Sequence, residues 1–136
     1  MMSEDTLREY VDRLGWEVEP HGPRTFRAVH RTREGKVKVY LRLSDSWLLA
    51  SVVPFLSTKG DISLDLSRWL LRQNRDMYQA KFAYDAAGDV VLSVELPTES
   101  IDESEVREAL ESLIRYTIAH RNTLRNAAQQ AREIQA

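Results

Sequence analysis

Residues Leu70 to Pro97 read LLRQNRDMYQAKFAYDAAGDVVLSVELP, and this stretch decides the fold. Leu70, Leu71 and Asn74 end a helical pattern, Lys81 to Tyr84 alternate as a strand, and Asp85 to Gly88 supply turn chemistry. A second alternating run then leads to Pro97, which cannot extend a ladder. The spacing predicts a helix end followed by a β-hairpin. Its inward residues are Ala80, Phe82 and Tyr84 on one strand and Val90, Leu92, Val94 and Leu96 on the other.

Upstream, SLDLSRWLLRQN places Leu66, Trp69, Leu70 and Gln73 on one side of a short helix, with Leu71 widening that face. Before it lie TFRAVHR and KVKVYLRL, two strands joined across TREGK, where Gly35 allows positive φ. In the second of these, Val37, Val39, Leu41 and Leu43 alternate with Lys36, Lys38, Tyr40 and Arg42, so one face is core and the other is wet. WLLASVVPF is apolar on both faces apart from Ser51, as expected of a central strand, and Pro54 limits its pairing. WEVE reads as a short additional strand. At the start of the chain Ser3 caps a helix whose stripe is Leu7, Tyr10, Val11 and Leu14, and Gly15 stops it.

Downstream of Pro97, Asp102 and Glu105 form an acidic version of a capping box. From Glu103, a seam of Val106, Leu110, Leu113, Thr117, His120, Leu124, Ala127, Ala131 and Ile134 advances by alternating steps of four and three. Its second half is weakly apolar. Residues 114–136 therefore read either as a projecting, solvated helix or as one that pairs with another subunit.

Length, charge and residue types bound the function. The 136 residues make one domain, and a net charge of -2 argues against a general nucleic-acid binder. The charge is unevenly spread. Arg24, Arg27, Arg31, Arg33, Lys36, Lys38 and Arg42 oppose Glu34 alone, whereas Glu99, Asp102, Glu103, Glu105, Glu108 and Glu111 oppose Arg107 alone. The chain has no cysteine, and it lacks both the roughly 18-residue apolar run of a membrane span and the basic-then-apolar start of a signal peptide. The expected location is the cytoplasm.

No catalytic constellation emerges. His21, His30 and His120 are scattered without metal-ligand spacing, the five glycines occur singly, and no serine sits in a nucleophile elbow. No metal, cofactor or enzymatic activity is expected. The most informative polar set is Arg27, Arg31, Lys38, Tyr40 and Arg42, which could line one sheet face and receive an acidic peptide or, as the alternative, a single-stranded nucleic acid. Trp16, Trp47 and Trp69 are assigned to the core, a partly exposed Trp69 instead marking an interface anchor.

The opening segment also carries a likeness. Leu70, Leu71 and Asn74 at the helix end, Lys81 and Phe82 opening a strand, Asp85 and Gly88 at the turn, and the run from Val90 to Pro97 resemble the bacterial YbjN family, which belongs with the type III secretion chaperone-like fold. The resemblance implies an α+β domain of order α-β-β-β-α-β-β-α, with helices packed on a twisted antiparallel sheet; the basic hairpin and the long C-terminal helix depart from a typical secretion chaperone of that fold. It also implies a homodimer with a non-enzymatic role, because chaperones of this fold hold disordered segments of client proteins. The corresponding interface here would use Trp69, Arg72, Gln73 and Tyr78, to which the C-terminal seam would add Leu124 and Ala131.

Overall fold

The computed structural model describes the backbone of residues 2–135 and the side chains of residues 2–127. The chain runs α1 (Glu4–Arg13), β1 (Glu17–Pro20), β2 (Thr25–Thr32), β3 (Gly35–Leu43), β4 (Trp47–Leu56), α2 (Leu64–Asp76), β5 (Lys81–Tyr84), β6 (Val90–Pro97) and α3 (Glu103–Gln135). It is an α+β fold, with β1 as a fourth strand ahead of α2. The sheet is antiparallel throughout, in the order β1-β2-β3-β4-β6-β5. The doubly apolar β4 lies inside the sheet between β3 and β6, as its composition predicts.

Period-two alternation sends one residue set of every strand toward the helices. Phe26 and Ala28, then Val37, Val39, Leu41 and Leu43, then Leu48, Ala50 and Val52, then Val90, Leu92 and Val94 are all buried. Leu7 and Val11 of α1, Leu70 of α2, and Val106, Leu110 and Leu113 of α3 meet them from above. All three helices therefore cover the same face of the sheet. The register between β4 and β6 slips between Val52 and Leu56, near Pro54.

Local chemistry sets the helix starts. The hydroxyls of Ser3 and Ser63 accept from Thr6 N and Leu66 N, at 3.1 and 3.0 Å. Asp102 Oδ1 accepts from Glu105 N at 2.8 Å, and Ser104 Oγ adds a bond at 2.9 Å. The second side chain at this cap is thus Ser104 rather than Glu105. The backbone bond from Glu105, with that from Ser104, lowers the Asp102 pKa below its ordinary value. A lowered pKa means stabilisation present above the unfolded-state value, about 3.9, and lost as pH falls through the folded-state value. The melting temperatures of wild type and Asp102→Ala should therefore differ at neutral pH and converge in strong acid. A gap unchanged by pH would show that the carboxylate charge is not what stabilises the cap.

The turn at Asp85 is closed by its own carboxylate, which accepts from Ala87 N and Asp89 N at 2.9 and 3.0 Å, while Gly88 sits at φ 86°. Asp89 in turn accepts from Thr58 N at 3.0 Å, and Thr58 Oγ1 donates to Gly88 O at 2.8 Å. This ties the hairpin tip to the loop ahead of α2.

The packed part of α3 extends beyond Ile114. Thr117 and Leu124 are both buried, with Leu124 only 2% exposed in the single chain. Arg121 explains why the hydropathy pattern fades while the packing does not. Its Nε and Nη2 donate to Phe55 O and Pro54 O at 3.2 and 3.4 Å, and its guanidinium lies 5.4 Å from the Phe55 ring centroid. Burial, followed by the nearby Arg125 charge, lowers its pKa. The heptad seam placed Leu124 at a subunit interface; this is corrected, because its own fold covers it. The side chain of Ala131, placed at the same interface, lies outside the described residues.

Candidate binding face

The helices leave the opposite face of the sheet bare, and the alternate residues of each strand build it. One rung runs Glu19, Arg27, Tyr40, Ser51, Ser93 and Lys81 across all six strands, and the next runs Thr25, Arg42, Leu49 and Glu95. Ser51 and Ser93 share a hydrogen bond of 3.1 Å at the centre. Trp47 is 49% exposed at one end of β4, and Val53 is exposed toward the other. With Leu49, Val91 and Ala83 they make an apolar strip along β4, β6 and β5, flanked by Lys38 and Arg42 on one side, while Lys81 on the other turns its ammonium to the carbonyls of Asn74 and Met77.

The sequence placed Trp47 in the core, and its position corrects this. Trp47 pairs with Pro97 and shares the parity of Leu49 and Ser51, so its indole stands on the bare face while Leu48 points inward. Trp16 is buried, stacked on His30 with centroids 4.9 Å apart.

Arg27, Arg31, Lys38, Tyr40 and Arg42 do share this one face, as the alternation requires. Their charges do not act as one basic patch. Arg27 is paired with Glu19, and Arg31 Nη2 lies 3.3 Å from Glu17 Oε1. Both glutamates come from β1, which borders β2, so WEVE neutralises two of these four cations. Lys38 and Arg42 have no ion-pair partner among the described residues, and Tyr40 is covered edge-on by His21 at 5.0 Å. The missed signal was the i, i+2 spacing of Glu17 and Glu19, which puts both carboxylates on the face of Arg27 and Arg31 once β1 pairs in this register.

A second exposed surface lies on α2. Trp69 is half-buried, 6.0 Å from the Phe82 centroid and 5.4 Å from that of His120, whose pKa is lowered by burial. Arg72 is exposed and Gln73 half-buried. Leu71, which the sequence assigned to the widened inner face, points outward at 68% exposure, and Tyr78 reaches 82%. Leu64, Leu71 and Tyr78 follow a spacing of seven, with Arg68, Arg72 and Arg75 between them.

Among the described residues, no group of three or more His, Asp or Glu side chains gathers as a metal site, and no helix is long and apolar enough to cross a membrane. No curated protein matches the chain. Solved structures do. YbjN from E. coli is 20% identical with a TM-score of 0.66, over 91% of this chain and 94% of that one. The Yersinia pestis type III secretion chaperone SycH, solved with a stable fragment of YscM2, is 18% identical with a TM-score of 0.57, over 85% and 97%. A chain of the heterodimeric ExoU–SpcU complex from the type III secretion system of Pseudomonas aeruginosa is 18% identical with a TM-score of 0.59, over 82% and 91%. These likenesses establish a shared fold. The family described as "Putative bacterial sensory transduction regulator" matches residues 3–126, nearly the whole described chain, and on that match the protein belongs to the YbjN family.

Proposed function

We propose that this chain is a non-enzymatic, chaperone-like protein-binding module of the cytoplasm, dimeric, with a regulatory role. The observation that carries the proposal is the bare sheet face, an apolar strip of Trp47, Leu49, Val53 and Val91 bordered by the unpaired cations Lys38 and Arg42. Such a surface suits an amphipathic segment of a client protein that presents acidic residues beside apolar ones. Arg27, Arg31 and Tyr40 border the same surface and orient the client rather than attract it, since both arginines are already paired. Complexes of similarly folded proteins with partners, SycH with its YscM2 fragment and ExoU with SpcU, support the reading by analogy of fold. Dimerisation is assigned to α2 through Trp69, Arg72, Gln73 and Tyr78, supported by the exposed Leu64, Leu71 and Tyr78 stripe.

A labelled short peptide in which glutamate alternates with valine around a central phenylalanine tests the face. Wild type should bind it, and Lys38→Glu combined with Arg42→Glu should weaken binding at least about tenfold. Equal binding by the two would remove the open face as the site. Salt-sensitive binding of single-stranded DNA, lost in the same variant, would instead favour the nucleic-acid alternative. Light scattering across a concentration series should show a dimer that Leu71→Glu with Tyr78→Glu converts to monomer.

A further inference from the structure

The two edges of the sheet differ, and the difference selects where another strand can add. At β5 the side-chain amide of Asn74 pairs with the outward backbone of Phe82: Phe82 N donates to Oδ1 at 2.7 Å, and Nδ2 donates to Phe82 O at 3.0 Å. Asn74 thus occupies the place that a neighbouring strand would take. Lys81 Nζ bonds the carbonyls of Asn74 and Met77, fixing the end of α2 against this edge. The β5 edge is closed by the molecule itself.

At β1 no such device is present among the described residues. His21 N donates to Thr25 O at 2.9 Å, so by the alternation of an antiparallel ladder Glu17 and Glu19 turn their backbone groups toward β2. The N–H and C=O of Val18 therefore point outward, while Pro20, without an N–H, limits pairing to the first part of the strand. Beside that part, on the helix side, opens a cleft of about 460 Å³ lined by Leu14, Trp16, His30, Ile114 and Ile118, with Glu111 and Arg115 at its rim. A strand paired with Val18 would place alternate side chains on the helix side, where the cleft lies.

Charge names the occupant. Across α1 and the part of α3 that reaches the cleft, Glu103 to Ile118, there are eight carboxylates (Glu4, Asp5, Glu9, Asp12, Glu103, Glu105, Glu108 and Glu111) against Arg8, Arg13, Arg107 and the cleft-lining Arg115. We infer that the β1 edge and this cleft form a docking site for an extended segment of a partner protein that carries one large apolar side chain flanked by basic residues. The apolar side chain enters between Trp16 and Ile118, the flanking cations face the acidic helix layer, and the backbone pairs with Val18. This rests on the chain being a protein-binding module but not on the open sheet face.

The probe is a short capped peptide in which lysine alternates with valine around a central phenylalanine, added to the full chain. Amide exchange at Val18 should slow on binding, and the glutamate counterpart should leave Val18 unchanged. Ile118→Asn, at an exposed position that should not impair folding, should weaken the lysine peptide at least about fivefold, as should N-methylation of alternate peptide amides. The Lys38→Glu and Arg42→Glu variant should bind this peptide no more weakly than wild type. Protection at Tyr84 instead of Val18, or affinity indifferent to both Ile118→Asn and N-methylation, overturns the assignment. Binding of the glutamate peptide alone would leave the open face standing and remove the β1 site.

Discussion

Replacing Leu124 by alanine is expected to lower the stability of the chain by about 2–5 kcal/mol, the usual loss for a fully buried leucine. Leu124 is 2% exposed without any partner chain, and Arg121, one turn before it, is fastened to the carbonyls of Phe55 and Pro54. Removing its branched carbons would leave a cavity where the far end of α3 meets the core. A solvated helix tail would instead lose less than about 0.5 kcal/mol. An interface residue would give a loss that depends on protein concentration, because dissociation then enters the unfolding equilibrium. Urea denaturation at two concentrations separates the three outcomes. A small effect, or one that shrinks on dilution, would remove the intramolecular packing of the C-terminal helix.

Leu124 also shows where sequence patterning stops being legible. The hairpin from Lys81 to Pro97, the central place of β4 and the serine caps could all be read from alternation, apolar runs and capping chemistry, since each depends on residues close in sequence. The tail of α3 could not. Its packing uses the aliphatic stem and guanidinium of Arg121 against backbone carbonyls 66 and 67 residues away, a partner that no hydropathy period encodes. Trp47 was misplaced for a related reason. A tryptophan at the start of an apolar strand looks like core until pairing with Pro97 fixes which face it takes.

The binding face was legible in part. Alternation correctly put Arg27, Arg31, Lys38, Tyr40 and Arg42 on one side of the hairpin, but a charge count along the segment from Arg24 to Arg42 omits what the neighbouring strand contributes. Glu17 and Glu19 precede that segment and reach it only through the β1–β2 register. Of the four cations in that set they leave Lys38 and Arg42, flanking the strip that contains Leu49, without an ion-pair partner among the described residues. An acidic segment would meet apolar surface there as well as charge, a combination that favours an amphipathic protein segment over a phosphate backbone.

Asn74→Ala should cost about 2–4 kcal/mol, although the side chain removed is small and polar. Two bonds of 2.7 and 3.0 Å disappear together, and the N–H and C=O of Phe82 lose their partners at a half-buried position beneath α2. The loss does not stop at hydrogen bonding. Phe82 packs edge-on to Phe55 at 4.9 Å and against Trp69 at 6.0 Å, so a loosened β5 edge also loosens the junction of α2, α3 and the sheet. Asn74→Asp separates the contributions: the carboxylate still accepts from Phe82 N but faces Phe82 O with no donor, so it should be no better than alanine at neutral pH. With its backbone uncovered, β5 becomes an unpaired strand edge, and the alanine variant should exchange the Phe82 amide faster and self-associate at high concentration. An Asn74→Ala protein that kept wild-type stability and a protected Phe82 amide would show that the rest of α2 closes this edge without the amide bridge. The same variant then decides whether β1 owes its place as the accessible edge to Asn74, because opening β5 should let the lysine peptide protect Tyr84 as well as Val18.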